Sequence, residues 1–180
     1  MFDPDSFVAD CQRALDESVP GVAIMELLER AVSDAGSMVA ALPLTRSEVV
    51  PLHVSPEITV MKVVWGPGMA FGPHDHHMWA TIGIYNGAED NEFFRRAGTT
   101  LTASGGKALR CGDVCLLGDN VIHAVSNPST TFTGAIHIYG GDFFATPRSE
   151  WRGDPLAEEP YDVARALAYF EDANRTALQS

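Results

Sequence analysis

Six histidines stand in this chain: His53, His74, His76, His77, His123 and His137. Three of them fall in the run Pro73-His74-Asp75-His76-His77. If that run is a strand, residues two apart share a face, so His74 and His76 aim at one point while His77 turns away. Imidazole is the commonest side-chain ligand of metals and suits iron, zinc, copper or nickel. A third imidazole is at hand in His123, which follows the turn-forming run Gly118-Asp119-Asn120 and would open another strand. Two histidines from one strand and one from a second fill three corners of a metal site and leave room for substrate. That is the form of a catalytic site, as opposed to a closed structural one. The expected ligand set is therefore His74, His76 and His123. His137 and Tyr139 lie two apart in Ala135-Ile136-His137-Ile138-Tyr139, so they share a face and are expected to act as a pair beside the site. For His137 three roles stay open: a fourth imidazole at the metal, a base behind the ligands, or core filler.

These side chains need strands to carry them, and the texture of the chain supplies them from Val49 onward. Short β-rich runs cover Ile58 to Trp65, Trp79 to Tyr85, Glu92 to Arg96, Val114 to Leu117, His123 to Ser126 and Thr131 to Tyr139. Turn residues separate them: Gly66-Pro67-Gly68, Asn86-Gly87, Ser104-Gly105-Gly106, Gly118-Asp119-Asn120 and Asn127-Pro128-Ser129. Many short strands with regular turns predict a sandwich or barrel. Ahead of them, Phe7, Val8, Cys11 and Leu15 recur at helical spacing behind an N-cap at Asp5 or Ser6. A second apolar stripe runs from Val22 to Val32, with Gly36 and Pro43 bounding its end. After Pro160 a further helix carries Val163, Leu167, Tyr169 and Phe170. The expected organisation is one domain over 1–180, with a helical segment at 1–45, a barrel at 46–147, and a loop and helix at 148–180. Trp65 and Trp79 read as core, and Cys111 and Cys115 as buried residues of one strand face. Glu89, Asp90 and Glu92 beside Arg95 and Arg96 read as a charged rim.

Composition narrows the partners. The 180 residues are 46 % hydrophobic and 20 % charged, which is ordinary globular material. Twelve Lys and Arg against twenty-four Asp and Glu give a net charge of −12, a surface that repels nucleic acid and anionic membranes. No apolar run approaches the roughly 20 residues of a membrane span, and the acidic start of the chain has no leader pattern. Three cysteines are too few for a disulfide framework. The chain is expected to be cytoplasmic, a monomer or homodimer, with a small-molecule substrate and O2 as its partners.

The spacing of the histidines resembles the cupin superfamily. Gly68, His74, His76 and Gly87 match its first motif, and Gly112, His123 and Asn127 its second. The glutamate ligand of the first motif falls on Ala80, which cannot bind metal, and Gly118 and Asn120 stand where the second usually has Pro and Gly. A cupin without that glutamate keeps three histidines, which narrows the resemblance to the cysteine dioxygenase-like group. Val64-Trp65-Gly66-Pro67-Gly68 is similar to the strand and turn leading into the ligands of thiol dioxygenases, and His123 to Asn127 to their third-ligand strand. The segment from Ala135 to Tyr139 resembles the strand of their Ser-His-Tyr relay, with Ala135 in place of the Ser. The His-Asp-His run, Trp79-Ala80, Ile82-Gly83-Ile84-Tyr85 and Glu89-Asp90-Asn91 resemble bacterial predicted metal-dependent enzymes of the double-stranded β-helix type. The resemblance spans Val49 to Phe144.

It implies a mainly β fold, a cupin or jelly-roll barrel of the double-stranded β-helix type with N-terminal helices and a C-terminal helix. It implies Fe(II) at the three histidines, with zinc, nickel or another divalent ion in the protein as purified. The implied activity is a non-haem iron dioxygenase oxidising a small thiol to a sulfinate, with Tyr139, oriented by His137, as the catalytic pair. Two alternatives stand beside it: a three-histidine iron dioxygenase that cleaves a carbon–carbon bond of a diketone, and a cupin that binds metal or ligand without turnover. Two features depart from the group. The early strand Pro51-Leu52-His53-Val54 lacks the Arg that clamps a substrate carboxylate, and the strand from Met78 to Tyr85 lacks the Cys that cross-links to the relay Tyr. With the acidic surface, the missing Arg predicts neutral or cationic thiols as substrates, unless Arg95 or Arg96 faces the cavity.

Overall fold

The computed structural model describes residues 1–177. Three helices open the chain: α1 (Pro4–Ala14), α2 (Pro20–Val32) and α3 (Ala35–Ala41). Asp3 caps α1 by accepting from the Ser6 amide at 2.7 Å, with Pro4 in the first turn. The cap thus lies ahead of the expected Asp5 or Ser6. Proline at the first helical position loses no hydrogen bond there and pre-sets the helical φ, which moves the start toward the terminus. Gly36 does not end a helix; it lies inside α3.

Nine strands follow: β1 (Glu48–Val54), β2 (Thr59–Trp65), β3 (Ala70–Asp75), β4 (Ala80–Asn86), β5 (Ala88–Ala97), β6 (Thr100–Arg110), β7 (Val114–Leu117), β8 (Ile122–Ser126) and β9 (Thr133–Tyr139). Their antiparallel pairing is nested: β5 with β6, β4 with β7, β3 with β8, and β2 with β9. The chain is in effect one long hairpin, closed at Gly98, whose successive rungs fall alternately in two sheets. One sheet has the order β1-β2-β9-β4-β7, and the other contains β3-β8-β5-β6. A hairpin wound in this way is the double-stranded β-helix, or jelly roll, that the cupin resemblance implied.

Alternation sorts the residues of the first sheet. On β9, Ala135, His137 and Tyr139 face the barrel interior, and Ile136 and Ile138 face outward. On β2, Met61, Val63 and Trp65 point in and Val60 points out. The outward residues are buried as well, because Ile24, Leu28 and Val32 of α2 cover them. Strands covered on both sides read as continuous apolar runs, which is why β2 and β9 were legible as strands. Gly83 admits the helix: a Cβ there would lie 2.6 Å from Cγ of Leu28.

The second sheet extends past residue 147. β10 (Ser149–Arg152) pairs with β3 at Glu150 and His74, and β11 (Ala157–Pro160) pairs with β10. The stretch expected as a connecting loop therefore adds two strands. Helix α4 (Val163–Ala177) then closes the open end of the barrel. Phe170 of α4 stacks on Trp65 with ring centroids 4.9 Å apart, and the Tyr169 hydroxyl accepts from the Ala70 amide at 3.1 Å.

Two further expectations are corrected. Ser104-Gly105-Gly106 is not a turn but lies within β6, beside the irregularity between Phe93 and Phe94. Glycine in a strand often marks such a bulge, and here its turn signal misled. Cys111 precedes β7 and is exposed, whereas Cys115 is buried on β7. The two do not share a strand face, because Gly112 at φ +93° turns the chain between them. No helix among the described residues is long and apolar enough to cross a membrane.

Candidate metal centre

His74 ends up inside the barrel because β3 pairs with β8, and that register sets His74 opposite His123. His76 lies just past the end of β3 yet turns its ring to the same point. One ligand nitrogen from each of His74, His76 and His123 falls within 4.8 Å of the others, and all three residues are buried. The structure thus brings together the three histidines singled out from the sequence.

Two of the rings are held by their other nitrogen. His74 Nδ1 is 3.0 Å from the Gly72 carbonyl, and His123 Nδ1 is 2.7 Å from Asn91 Oδ1. Each acceptor requires a proton on Nδ1, so the Nε2 lone pair of each ring is left free. The Nε2 atoms of His76 and His123 approach to 3.2 Å. Burial holds all three imidazoles in the neutral form. It pushes His74 down to about 4, and Arg148 and His137 act in the same direction. His76 and His123 are also held well below the usual histidine range, first by burial and then by the neighbouring imidazoles. Three buried neutral imidazoles, two of them with the tautomer fixed and the Nε2 lone pair free, form a donor set that could hold a transition-metal ion.

A small cavity of about 50 Å3 adjoins the triangle. His74, His123, His137 and Tyr139 line one side, and apolar residues such as Val49 and Leu167 line the rest. At 10–15 Å3 per water this is room for about four waters, so a ligand of a few heavy atoms fits. Burial pushes the Tyr139 phenol above its ordinary range, so it stays protonated at neutral pH. Tyr139 hydroxyl and His137 Nδ1 are 3.1 Å apart, and the Tyr139 ring stands edge-on to His76 at 5.0 Å. His137 is thereby placed behind Tyr139, outside the three-nitrogen group.

Glu89 is the residue that sequence reading misplaced. It was expected on a charged rim but is 0 % exposed. Alternation along β5 turns Glu89 and Asn91 inward, while Asp90 pairs outside with Arg110 at 2.7 Å. Three N–H groups converge on the Glu89 carboxylate: Trp65 Nε1 at 2.9 Å, His137 Nε2 at 3.3 Å and Asn91 Nδ2 at 3.0 Å. A carboxylate only accepts, so His137 carries its proton on Nε2 and offers the Nδ1 lone pair to the Tyr139 hydroxyl. Asn91, having given its NH2 to Glu89, must present Oδ1 to His123. One buried carboxylate therefore sets the tautomers of both His137 and His123. The available signal was the period of two, which puts Glu89 and Asn91 on one face.

The remaining candidates lie outside the site. His77 is exposed at φ +55°, with Nδ1 3.1 Å from the Pro147 carbonyl and Nε2 3.2 Å from Asp75. His53 stands beside Gln12 of α1. Arg96 pairs with Glu158 and lies over the Trp151 ring at 4.8 Å, and neither Arg95 nor Arg96 lines the cavity. Ala80 is buried opposite Tyr139, so the position of the missing glutamate ligand does face the barrel interior. Trp65 is core but also a donor to Glu89.

No protein-family model matches the chain. Among solved structures it is similar to a cupin-family protein with a double-stranded β-helix fold from Methanocaldococcus jannaschii. That match has 13 % identity and a TM-score of 0.47, and covers 56 % of this chain and 85 % of that one. It is similar to an uncharacterised double-stranded β-helix protein from Klebsiella pneumoniae at 13 % identity and TM-score 0.45, covering 56 % of this chain and 79 % of that one. Peruvianin-I, a cysteine peptidase from Thevetia peruviana latex, matches at 16 % identity and TM-score 0.40, over 47 % of this chain and 51 % of its own. The chain thus spans about half the length of peruvianin-I. The fold assignment rests on the nested strand pairing given above.

Proposed function

We propose that the protein is a metal-dependent dioxygenase that oxidises a small thiol to a sulfinate, RSH + O2 → RSO2− + H+. The observation that supports this best is the triangle of neutral histidines, with no carboxylate among the ligands, opening on a small apolar cavity that holds a protonated Tyr139. Fe(II) suits three imidazoles and leaves coordination positions open; when bound, it would supply the binding of thiolate and the activation of oxygen.

The residues of the chain have separate tasks. His74, His76 and His123 hold the ion, and Gly72 and Asn91 aim two of them. The Tyr139 hydroxyl supplies a hydrogen bond inside the cavity, and His137 Nδ1 is placed to take its proton and return it. Glu89 keeps His137 in the tautomer that this exchange requires. The apolar wall excludes water, which strengthens each of these polar contacts.

The test is oxygen uptake by Fe(II)-loaded protein with a panel of small thiols and diketones, with product analysis by mass. A thiol-dependent uptake yielding a product heavier by two oxygen atoms supports the reading. Uptake with diketones alone, or none with any compound, overturns it.

A further inference from the structure

Of the three ligand histidines, His74 and His123 are aimed by a hydrogen bond at Nδ1, to Gly72 and to Asn91. His76 has no such hold. Among the described residues its hydrogen-bond contact is made through Nε2, on the metal side, with His123. It also stands outside the ladder that sets His74 opposite His123, because β3 ends at Asp75. A metal ligand has to be oriented by something besides the metal, so what aims this ring must lie in its backbone.

The chain turns at the next residue. His77 lies at φ +55°, and among the described residues it is the only non-glycine at positive φ. A residue with a Cβ enters this left-handed region rarely and stays only where its surroundings hold it. Both ring nitrogens are gripped. Nδ1 donates to the Pro147 carbonyl at 3.1 Å, and Nε2 lies 3.2 Å from Asp75 Oδ2. Asp75 is itself buried, and its Oδ1 accepts from the Ser149 amide at 2.8 Å. One residue further on, Glu150 pairs with His74. The segment from Pro147 to Glu150 thus holds residues 77, 75 and 74, and His76 stands between two anchored neighbours. An extended His77 would prolong β3 in its own sheet, leaving only Met78 and Trp79 to reach β4 in the other. The left-handed turn makes that crossing and leaves the His76 ring facing His74 and His123.

We infer that His77 is the positioning residue of the metal centre. Its left-handed turn, clasped by Pro147 and Asp75, does for His76 through the backbone what Gly72 and Asn91 do for the other two ligands through hydrogen bonds. The inference rests on the three-histidine metal site and not on the reaction proposed for it. It also gives the stretch just ahead of β10 a task in the site: without Pro147 and Ser149 in place, neither neighbour of His76 is anchored.

The probe is cobalt(II), whose visible spectrum reports the ligand set. Metal-free wild type, His77→Gly, His77→Asn and His76→Ala are titrated with cobalt against a competing chelator, and their metal-free melting temperatures are measured alongside. Glycine takes positive φ freely but has no ring to clasp. His77→Gly should therefore bind cobalt about 10- to 100-fold more weakly, the range for groups that orient a metal ligand, with a spectrum shifted toward that of His76→Ala. Its metal-free melting temperature should stay within a few degrees of wild type, because relief of the turn offsets the lost bonds. Asparagine favours the left-handed region more than most residues, so His77→Asn should recover part of the lost affinity. Wild-type affinity or a wild-type spectrum in His77→Gly overturns the inference and leaves the metal site standing. A large fall in melting temperature accompanying the loss of affinity in both variants would make His77 a general support of the fold, and overturns it as well. No cobalt binding by wild type would overturn the metal site and this inference together.

Discussion

Replacing Glu89 by glutamine changes one atom and removes one charge, and its consequences can be followed bond by bond. Glu89 Oε2 accepts from Trp65 Nε1 and His137 Nε2, and Oε1 accepts from Asn91 Nδ2. A glutamine has one oxygen and one NH2. With the NH2 toward Trp65 and His137, it opposes two donors. The indole N–H is then orphaned in the interior, at about 1–3 kcal/mol. With the oxygen on that side, both bonds are kept and the NH2 meets Asn91. Asn91 can answer by flipping, so that Oδ1 accepts from the glutamine and its own NH2 turns to His123. No hydrogen bond is lost, so this arrangement wins in the metal-free protein.

The flip, however, reverses His123. Nδ1 now faces a donor and must be the bare nitrogen, and the proton moves to Nε2, which faces His76 and the metal position. A ligand whose lone pair is capped must give up this arrangement to bind an ion. Outer partners of metal-bound histidines contribute 10–100-fold to affinity, about 1.4–2.8 kcal/mol. Glu89→Gln is expected to weaken zinc or cobalt binding by that factor in a chelator-competition titration, with the metal-free melting temperature within a few degrees of wild type. Nitrogen-15 shifts of the His123 ring should report the change of tautomer. Trp65→Phe is the control: it deletes one donor to Glu89 but leaves Asn91 and His123 as they are, so it should keep metal affinity. Wild-type affinity in Glu89→Gln would refute the chain of hydrogen bonds from Glu89 to His123.

Three other outcomes are expected. Each of His74→Ala, His76→Ala and His123→Ala should bring bound metal well below one ion per chain by elemental analysis; full occupancy in His123→Ala would mean that another group, His137 first, takes its place. Tyr139→Phe should lower kcat about 100-fold with metal content unchanged, and an unaltered kcat would leave Tyr139 a packing residue. Metal-free protein should lose stability in acid. His74 titrates at about 4 folded against 6.5 for the free side chain, so below 6.5 the unfolded chain takes up a proton that the folded chain refuses. That costs about 2 kcal/mol between neutral pH and pH 5, with His76 and His123 adding to it. Urea midpoints at the two pH values measure it, and a midpoint that does not move excludes it.

The parts of this site that follow from short-range periodicity were legible, and the parts that follow from register were not. His74 and His76 stand two apart, and His123 follows a turn, so convergence could be argued before any coordinates. The same period of two applied equally to Glu89 and Asn91, yet alternation alone does not say which face of β5 is inside. Pairing of β5 with β8, which sets Phe93 opposite His123, decides that. Charge weighed toward the surface for Glu89 because carboxylates are rarely buried without partners. Its partners come from β2 and β9 as well as its own strand, and no local pattern exposes them. Arg148, buried just ahead of β10 between the Phe143 and Tyr161 rings, was missed as an interior residue for the same reason. Its setting depends on Phe143 and Tyr161 meeting around it, and β10 and β11 were too short and polar to announce themselves as strands.

The charges of the interior give these separate residues a common logic. Three neutral imidazoles leave the two positive charges of a divalent ion unreduced. Glu89 contributes one negative charge behind His137, and Arg148 one positive charge behind Phe143 and Tyr161. With the ion bound, the enclosed site thus carries two positive charges. A thiolate with an ammonium group leaves that sum unchanged, whereas a thiolate with a carboxylate cancels it, and in an apolar cavity uncompensated charge is costly. Ala80 belongs to the same balance. A carboxylate ligand there, opposite Tyr139, would cancel one of the two positive charges of a bound divalent ion. With alanine on β4 at that position, the charge of a bound ion is left for groups entering from the cavity to balance.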